Sequence, residues 1–152
     1  MKKTNKFLIY FLIAFVINVS SNQTNHIQTI YLGSGCFWGA EKGYEALDGV
    51  IDAESGYANG YGIKPNYRSI IQFKNKYKEN NFAEVVKVTF NSNAIMLHEI
   101  LKHFFETHDP TQLNRQGNDI GTQYRSAIYY KNENNIQTIL ASKEQYLSLI
   151  HI

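Results

Sequence analysis

Apolar and polar positions along this chain follow two periods. Residues 27–32 (IQTIYL) are rich in β-formers and stop at Gly33-Ser34-Gly35, which predicts a strand closed by a permissive turn. Phe37, Ala40, Tyr44 and Leu47 then recur at spacings of 3, 4 and 3, which predicts a helix over 36–47 ended by Asp48-Gly49. Residues 50–57 read as a second strand. Residues 58–66, with two glycines and Pro65, read as a loop. The run at 74–81 (KNKYKENN) is strongly polar and predicts a solvated loop. Residues 83–90 (AEVVKVTF) predict a strand, and the adjacent Val85 and Val86 suit one buried on both faces. Leu97, Ile100, Leu101, Phe104 and Phe105 make one apolar stripe, so 95–107 predicts an amphipathic helix that stops before Pro110. Residues 108–122 form a long polar loop, the kind that usually carries function. A strand at 125–130 and a helix at 133–149 close the pattern. The order β-α-β, β-α-β, α predicts an α+β fold. Its simplest closure is a ferredoxin-like two-layer sandwich, a βαββαβ core with a C-terminal helix.

The first residues break this pattern. Met1–Lys6 is basic, Phe7–Val19 is apolar apart from Asn18, and then comes a short polar stretch. That order is the order of a secretory signal peptide, and the apolar run is shorter than the ~20 residues a spanning helix needs. Residues 1–21 are therefore expected to direct export to the periplasm or outside the cell. Retention as an uncleaved membrane anchor is the alternative, and the membrane is otherwise not an expected partner.

The chain has 152 residues, enough for one domain. Hydrophobic residues are 43% and charged residues 18%, which suits a packed core. There are 15 basic and 13 acidic residues. Lys2, Lys3 and Lys6 lie in the leader, so residues 22–152 carry 12 basic against 13 acidic residues. That balance argues against nucleic acid as a partner, because a nucleic-acid binder needs a basic face. The single cysteine, Cys36, excludes an internal disulfide and a cysteine-rich metal site.

Cys36 is also the sharpest candidate for chemistry. It comes after a glycine turn at the joint between a strand and a helix start, where free N–H groups and the helix dipole favour a thiolate. The opposing reading is a small buried hydrophobe. Phe37 and Trp38 place two aromatics beside the sulfur. His98, His103 and His108 repeat every five residues and share no helix face. No zinc site is expected, and no histidine is placed by sequence as a base for Cys36. A carboxylate is the better acid partner. Glu84 opens an apolar strand where desolvation would favour its protonated form; its plain alternative is an exposed strand-edge residue. Tyr67 and Tyr124 lie on loops, with Asp119 upstream of the second, where phenols can donate to a substrate oxygen. Sequence does not single them out among 11 tyrosines.

Gly35-Cys36-Phe37-Trp38-Gly39 with Glu41 resembles the active-site signature of the methionine sulfoxide reductase A family. Gly56-Tyr57-Ala58, Asn66-Tyr67-Arg68, Ala83-Glu84-Val85-Val86 and His108-Asp109-Pro110-Thr111 come next in order, then Arg115 to Asp119 and Gly121 to Ile128. The resemblance covers about residues 30–130 and implies reduction of the S epimer of methionine sulfoxide, free or in proteins, as repair of oxidative damage. It implies Cys36 as nucleophile passing through a sulfenic acid, Glu84 as general acid, and Tyr67 and Tyr124 at the sulfoxide oxygen. It further implies that Asp119 supports the site and that Phe37 and Trp38 hold the substrate methyl group. No bound cofactor is implied. The reductant is an external thiol, a thioredoxin-like protein or dithiothreitol, and the protein is expected to be a monomer.

The sequence departs from the family pattern in places. Asn81-Phe82 stand where a Gly-His pair is usual, Asn59 replaces a frequent glycine, and residues 71–81 look longer than usual. The closing hexapeptide, Leu147 to Ile152, is the translation of a transposon end used in sequencing libraries. A catalytic domain over 27–146 and a non-native tail over 147–152 are therefore expected, as in a gene fragment. Long sequencing reads across the locus test this. Two other classes stay open: a remnant that binds methionine sulfoxide without turnover, and a secreted structural domain with an inert cysteine.

Overall fold

The computed structural model describes residues 26–150. The expected leader at 1–21 lies outside the described residues, as do His151 and Ile152 of the expected tail. Strands β1 (Ile27–Gly33), β2 (Val50–Ala58), β3 (Ala83–Asn91) and a later strand (Ala127–Tyr130, β6) form one sheet. Helices α1 (Phe37–Glu45), α2 (Tyr67–Ile71), α3 (Phe73–Lys76), α4 (Leu97–Thr107) and α5 (Ile136–Ile150) connect or cover them. The strand order is β2-β3-β1-β6 and every neighbouring pair is antiparallel. Numbered along the chain, that order is the one of a βαββαβ ferredoxin-like sheet, so the fold is the α+β sandwich that the pattern predicts.

The core lies on one face of the sheet. Ile30, Leu32, Val86, Val88 and Phe90 pack against Tyr44 of α1, Ile100, Leu101 and Phe104 of α4, and Ile139 of α5. Side chains alternate between faces along a strand. Ala83 and Val85 therefore face away from this core, yet both are buried. The first half of the strand is covered on both sides, as Val85-Val86 predicts, while Lys87 and Thr89 on the outer face of the second half are half-exposed.

The segment between β2 and β3 differs from expectation. Residues 59–66 are a loop, as expected, but the short helix α2 follows it, and α3 takes the start of the run at 74–81. Asn66 caps α2: its side chain accepts from the Ser69 N–H at 3.0 Å, and the Ser69 hydroxyl accepts from the Asn66 N–H. Asn75 and Asn81, in the run expected to be solvated, are buried. Their amides donate to the Ser69 and Ile70 carbonyls at 2.6 and 3.2 Å. These polar side chains replace water as partners of loop backbone. Asn59 sits at φ 53°, the left-handed region that favours glycine and that asparagine tolerates. Gly60 leaves room for Phe82, since a Cβ there would lie 2.5 Å from the Phe82 ring and backbone.

The long polar loop also has structure. Arg115–Gln116 (β4) and Asp119–Ile120 (β5) pair as a small antiparallel ribbon, and a 3-10 turn comes next at Thr122–Tyr124. Arg125 then ties three segments together. Its guanidinium donates to the carbonyls of Asn59, Asn81 and Thr122 at 2.8–3.1 Å and to the Tyr129 hydroxyl at 3.0 Å. A lysine cannot reproduce this fork. Arg125→Lys is expected to lower stability by about 2 kcal/mol in urea unfolding, the range for hydrogen bonds to a charged group. A loss below about 0.5 kcal/mol, the scale of an ordinary surface change, would show that the clamp contributes little.

Candidate active site

The turn after β1 aims the cysteine. Gly35 has φ 95°, and a Cβ there would lie 2.6 Å from Gln116 of β4, so both backbone and space require glycine. Cys36 comes next, in extended geometry as the N-cap of α1, so the helix starts one residue later than the expected 36–47. It is a free thiol and exposed. The pull expected from the helix start is present but outweighed. The Trp38 backbone N–H does bring the thiol pKa down, but partial burial pushes it up more strongly, and the Glu84 and Asp119 carboxylates push it up again. The net direction is upward, so the resting sulfur is a thiol and not the thiolate expected from the dipole alone.

Glu84 is the second residue of β3 and is 1% exposed. The strand-edge alternative is excluded. Its Oε2 accepts from the Phe37 N–H at 3.3 Å, at the first turn of α1. Its pKa is pushed up to about 7: burial is the main cause, the Phe37 N–H opposes it, and the Asp119 carboxylate adds to it. A carboxyl that holds its proton near neutrality is a competent general acid.

The remaining expected residues surround this pair unevenly. Tyr124, half-buried in the 3-10 turn, has its pKa pushed up to about 12, first by burial and then by the Glu84 charge. Asp119 is exposed on β5, and its charge is felt at Cys36, Glu84 and Tyr124. Tyr67 opens α2, is 54% exposed, and acts on Tyr124 through its charge. Phe37 is half-buried against the core, with its ring 5.4 Å from that of Tyr57. Trp38 is 81% exposed. Together they gather around an exposed Cys36 and a buried acid hydrogen-bonded to the residue after it. Among the described residues no group of three or more His, Cys, Asp or Glu is placed to hold a metal ion.

Tyr57 is a residue of the site that sequence reading misses. The register of β2 on β3 sets it directly opposite Glu84. Burial raises its pKa, and the charges of Glu84, Tyr67 and Cys36 raise it further, which sets the phenol among the same groups. The motif Gly56-Tyr57-Ala58 marks the position, but only strand pairing can tell that it faces the acid.

The family model for peptide methionine sulfoxide reductase matches residues 28–149. The chain belongs to the peptide methionine sulfoxide reductase family. The methionine sulfoxide reductase MsrA of Vibrio vulnificus (strain CMCP6) is 40% identical over 129 residues, which are 85% of this chain and 59% of that protein. The solved methionine sulfoxide reductase A of Corynebacterium diphtheriae is 38% identical with a TM-score of 0.68, over 80% of this chain and 55% of that one. Mxr1 of Saccharomyces cerevisiae, solved in complex with Trx2, is 27% identical with a TM-score of 0.56, over 85% of this chain and 72% of that one. The chain thus spans between half and three-fifths of the first two relatives. Within the methionine sulfoxide reductase match lie the β1–α1 turn, Glu84 and the whole loop that carries Asp119 and Tyr124.

Proposed function

We propose that this chain reduces the S epimer of methionine sulfoxide, free or in proteins, to methionine with thiols as the electron source. One observation carries the reading: a buried carboxyl with a pKa of about 7 lies at the helix start that presents the only cysteine. A sulfoxide sulfur is a poor electrophile until its oxygen is hydrogen-bonded or protonated. Glu84 gives that oxygen its proton, and Tyr67 and Tyr124 donate hydrogen bonds to it. The Cys36 thiolate bonds to the sulfoxide sulfur, the protonated oxygen then passes as hydroxyl from that sulfur to the Cys36 sulfur as the S–O and the new S–S bonds break, and methionine leaves with the electron pair. Cys36 is left as a sulfenic acid, the first rung of cysteine oxidation. Phe37 and Trp38 offer apolar surface to the S-methyl group, and Asp119 tunes both acids through its charge.

The reductant is an external thiol. The family's Mxr1–Trx2 complex supports a thioredoxin-like partner. The basic and apolar leader supports export, with the uncleaved segment as the one membrane contact. The folded part acts as a monomer. These readings rest on the leader and the family, and on no contact in the described residues.

The test counts methionine. With methionine S-sulfoxide and no reductant, this chain is expected to release one methionine per protein and stop, because its sulfenic acid has no second thiol to condense with. Added dithiothreitol restores turnover. A rapid-quench burst of two equivalents excludes the scheme. Binding with no methionine formed selects the alternative, a protein that holds the sulfoxide without reducing it.

A further inference from the structure

An opening reaches Cys36 from the side of α1 and α4. Here His103 of α4 lies against Gly43 and Tyr44 of α1, and a cavity of about 270 Å³ is lined by Ser34, Cys36, Gly39, Ala40, Gly43, His103 and Thr107. Glu84, Tyr57 and Tyr124 do not line it, so it is distinct from the side where the acid and the phenols gather. Gly39 and Gly43 are four apart and share one face of α1, which bares the helix backbone to the cavity. A Cβ at Gly39 would meet nothing within 4 Å, whereas one at Gly43 would lie 2.8 Å from His103 Nε2. The imidazole therefore crosses the bare helix with Nε2 at its surface. Its plane is fixed by the Tyr44 ring, edge-on at 5.0 Å. Among the described residues neither ring nitrogen of His103 has a hydrogen-bond partner. The sequence links no histidine to Cys36; helix packing sets His103 in the same cavity, against Gly43 and two turns along α1 from Cys36.

We propose that this cavity admits the small thiol that reduces oxidised Cys36, and that His103 takes the proton of that thiol as it enters, before the thiolate moves along α1 to the Cys36 sulfur. The proposal rests on the reading above that Cys36 becomes a sulfenic acid. The cavity is slightly smaller than a pocket for a drug-sized ligand, and its lining is glycine, alanine, hydroxyl and imidazole beside the Cys36 sulfur, with no charged carboxylate, lysine or arginine. That chemistry suits a thiol of a few heavy atoms. The incoming sulfur bonds to the Cys36 sulfur, and the S–O bond of the sulfenic acid breaks. The departing hydroxide takes the proton that the thiol gave to His103 and leaves as water. A second thiol then cleaves the mixed disulfide, giving a free disulfide and the Cys36 thiol. Two thiols thus supply the two electrons. The base must be neutral to act. Burial lowers the His103 pKa, and Glu106 on the same helix partly opposes that; from α1 the titratable groups that face it are Tyr44 and Cys36.

The test makes the sulfenic acid with one equivalent of hydrogen peroxide, so that methionine sulfoxide is not needed. Its loss on adding free cysteine is followed by dimedone trapping and intact mass. His103→Leu and His103→Gln are expected to slow the reaction by about 10²-fold at pH 7, the lower range for a lost general base. The deficit is expected to vanish above pH ~8.5, where the thiol ionises unaided. Gly43→Leu, which pushes a side chain into the cavity, is expected to slow the step at every pH. Wild-type rates at pH 7 in all three variants, or a His103 deficit that is the same at every pH, would overturn the proposal. If wild type releases no methionine but its peroxide-made sulfenic acid still needs His103, the sulfoxide reading fails and this one stands.

Discussion

Replacement of Cys36 by serine is expected to remove methionine sulfoxide reduction altogether. The side chain keeps its size and place at the N-cap of α1, so the fold has no reason to change. The chemistry changes completely. A serine hydroxyl at neutral pH is not ionised and is a far weaker nucleophile than a thiolate. It also has no counterpart to the sulfenic acid that ends the first half-reaction. The chain has no other cysteine to take over. The expected loss is therefore total within detection, both in the single-turnover burst and in turnover with dithiothreitol. Circular dichroism and urea unfolding of the variant check that the loss is chemical. Wild-type methionine release from the folded serine variant would falsify the nucleophile and with it the reaction.

How far the sequence shows this site depends on which forces act locally. The first half of the strand over 83–90 is legible because Val85 and Val86 in sequence leave no exposed face there, and the structure buries both. The stripe on α4 is legible for the same reason, in helical period. The helices α2 and α3 are not. They are too short to show a period, and they are held by Asn66, Asn75 and Asn81, whose polarity reads as solvation until their backbone partners are known. At the site, the glycine turn before Cys36 is visible, and so is the local helix N–H that favours its thiolate. The opposing charges are not, because Glu84 and Asp119 arrive from β3 and β5. Local sequence thus shows the Trp38 N–H and hides both the burial, which outweighs it, and the two charges, which add to the burial. Tyr57 and His103 belong to the same class. Strand register sets the one against Glu84, and helix packing sets the other across Gly43.

Glu84→Gln is expected to slow methionine formation by roughly 10²–10⁴ in single turnover, the usual range for a lost general acid. Glutamine keeps the shape and an oxygen to accept the Phe37 N–H, so substrate binding is expected to survive. Three further results separate an acid from a mere packing residue. First, the active form needs Glu84 protonated and Cys36 ionised, so it carries the same net proton as a thiol beside a carboxylate. The wild-type kcat/KM is therefore expected to rise towards pH 7, level off, and fall only as the raised thiol finally ionises beside an already ionised Glu84. The variant has no acid to lose, so its residual rate is expected only to rise with pH. Second, removal of the carboxylate removes one of the charges that hold the thiol up. Iodoacetamide alkylation of Cys36 is expected to shift to lower pH in Glu84→Gln. Third, the buried acid costs stability where it ionises. Its folded pKa of about 7 lies above its ordinary value of 4.5, so the folded state keeps a proton that the unfolded chain gives up. Stability contributed by this group is present below pH 4.5, declines between 4.5 and 7, and stays low above. The glutamine variant escapes that decline, so it is expected to melt higher than wild type at pH 8 and to lose the advantage at pH 4. Such an exchange of stability for a poised proton is the usual mark of a working site. A variant with an unchanged single-turnover rate, an unmoved alkylation profile and no gain at pH 8 would remove Glu84 from the acid role and leave it a buried spacer.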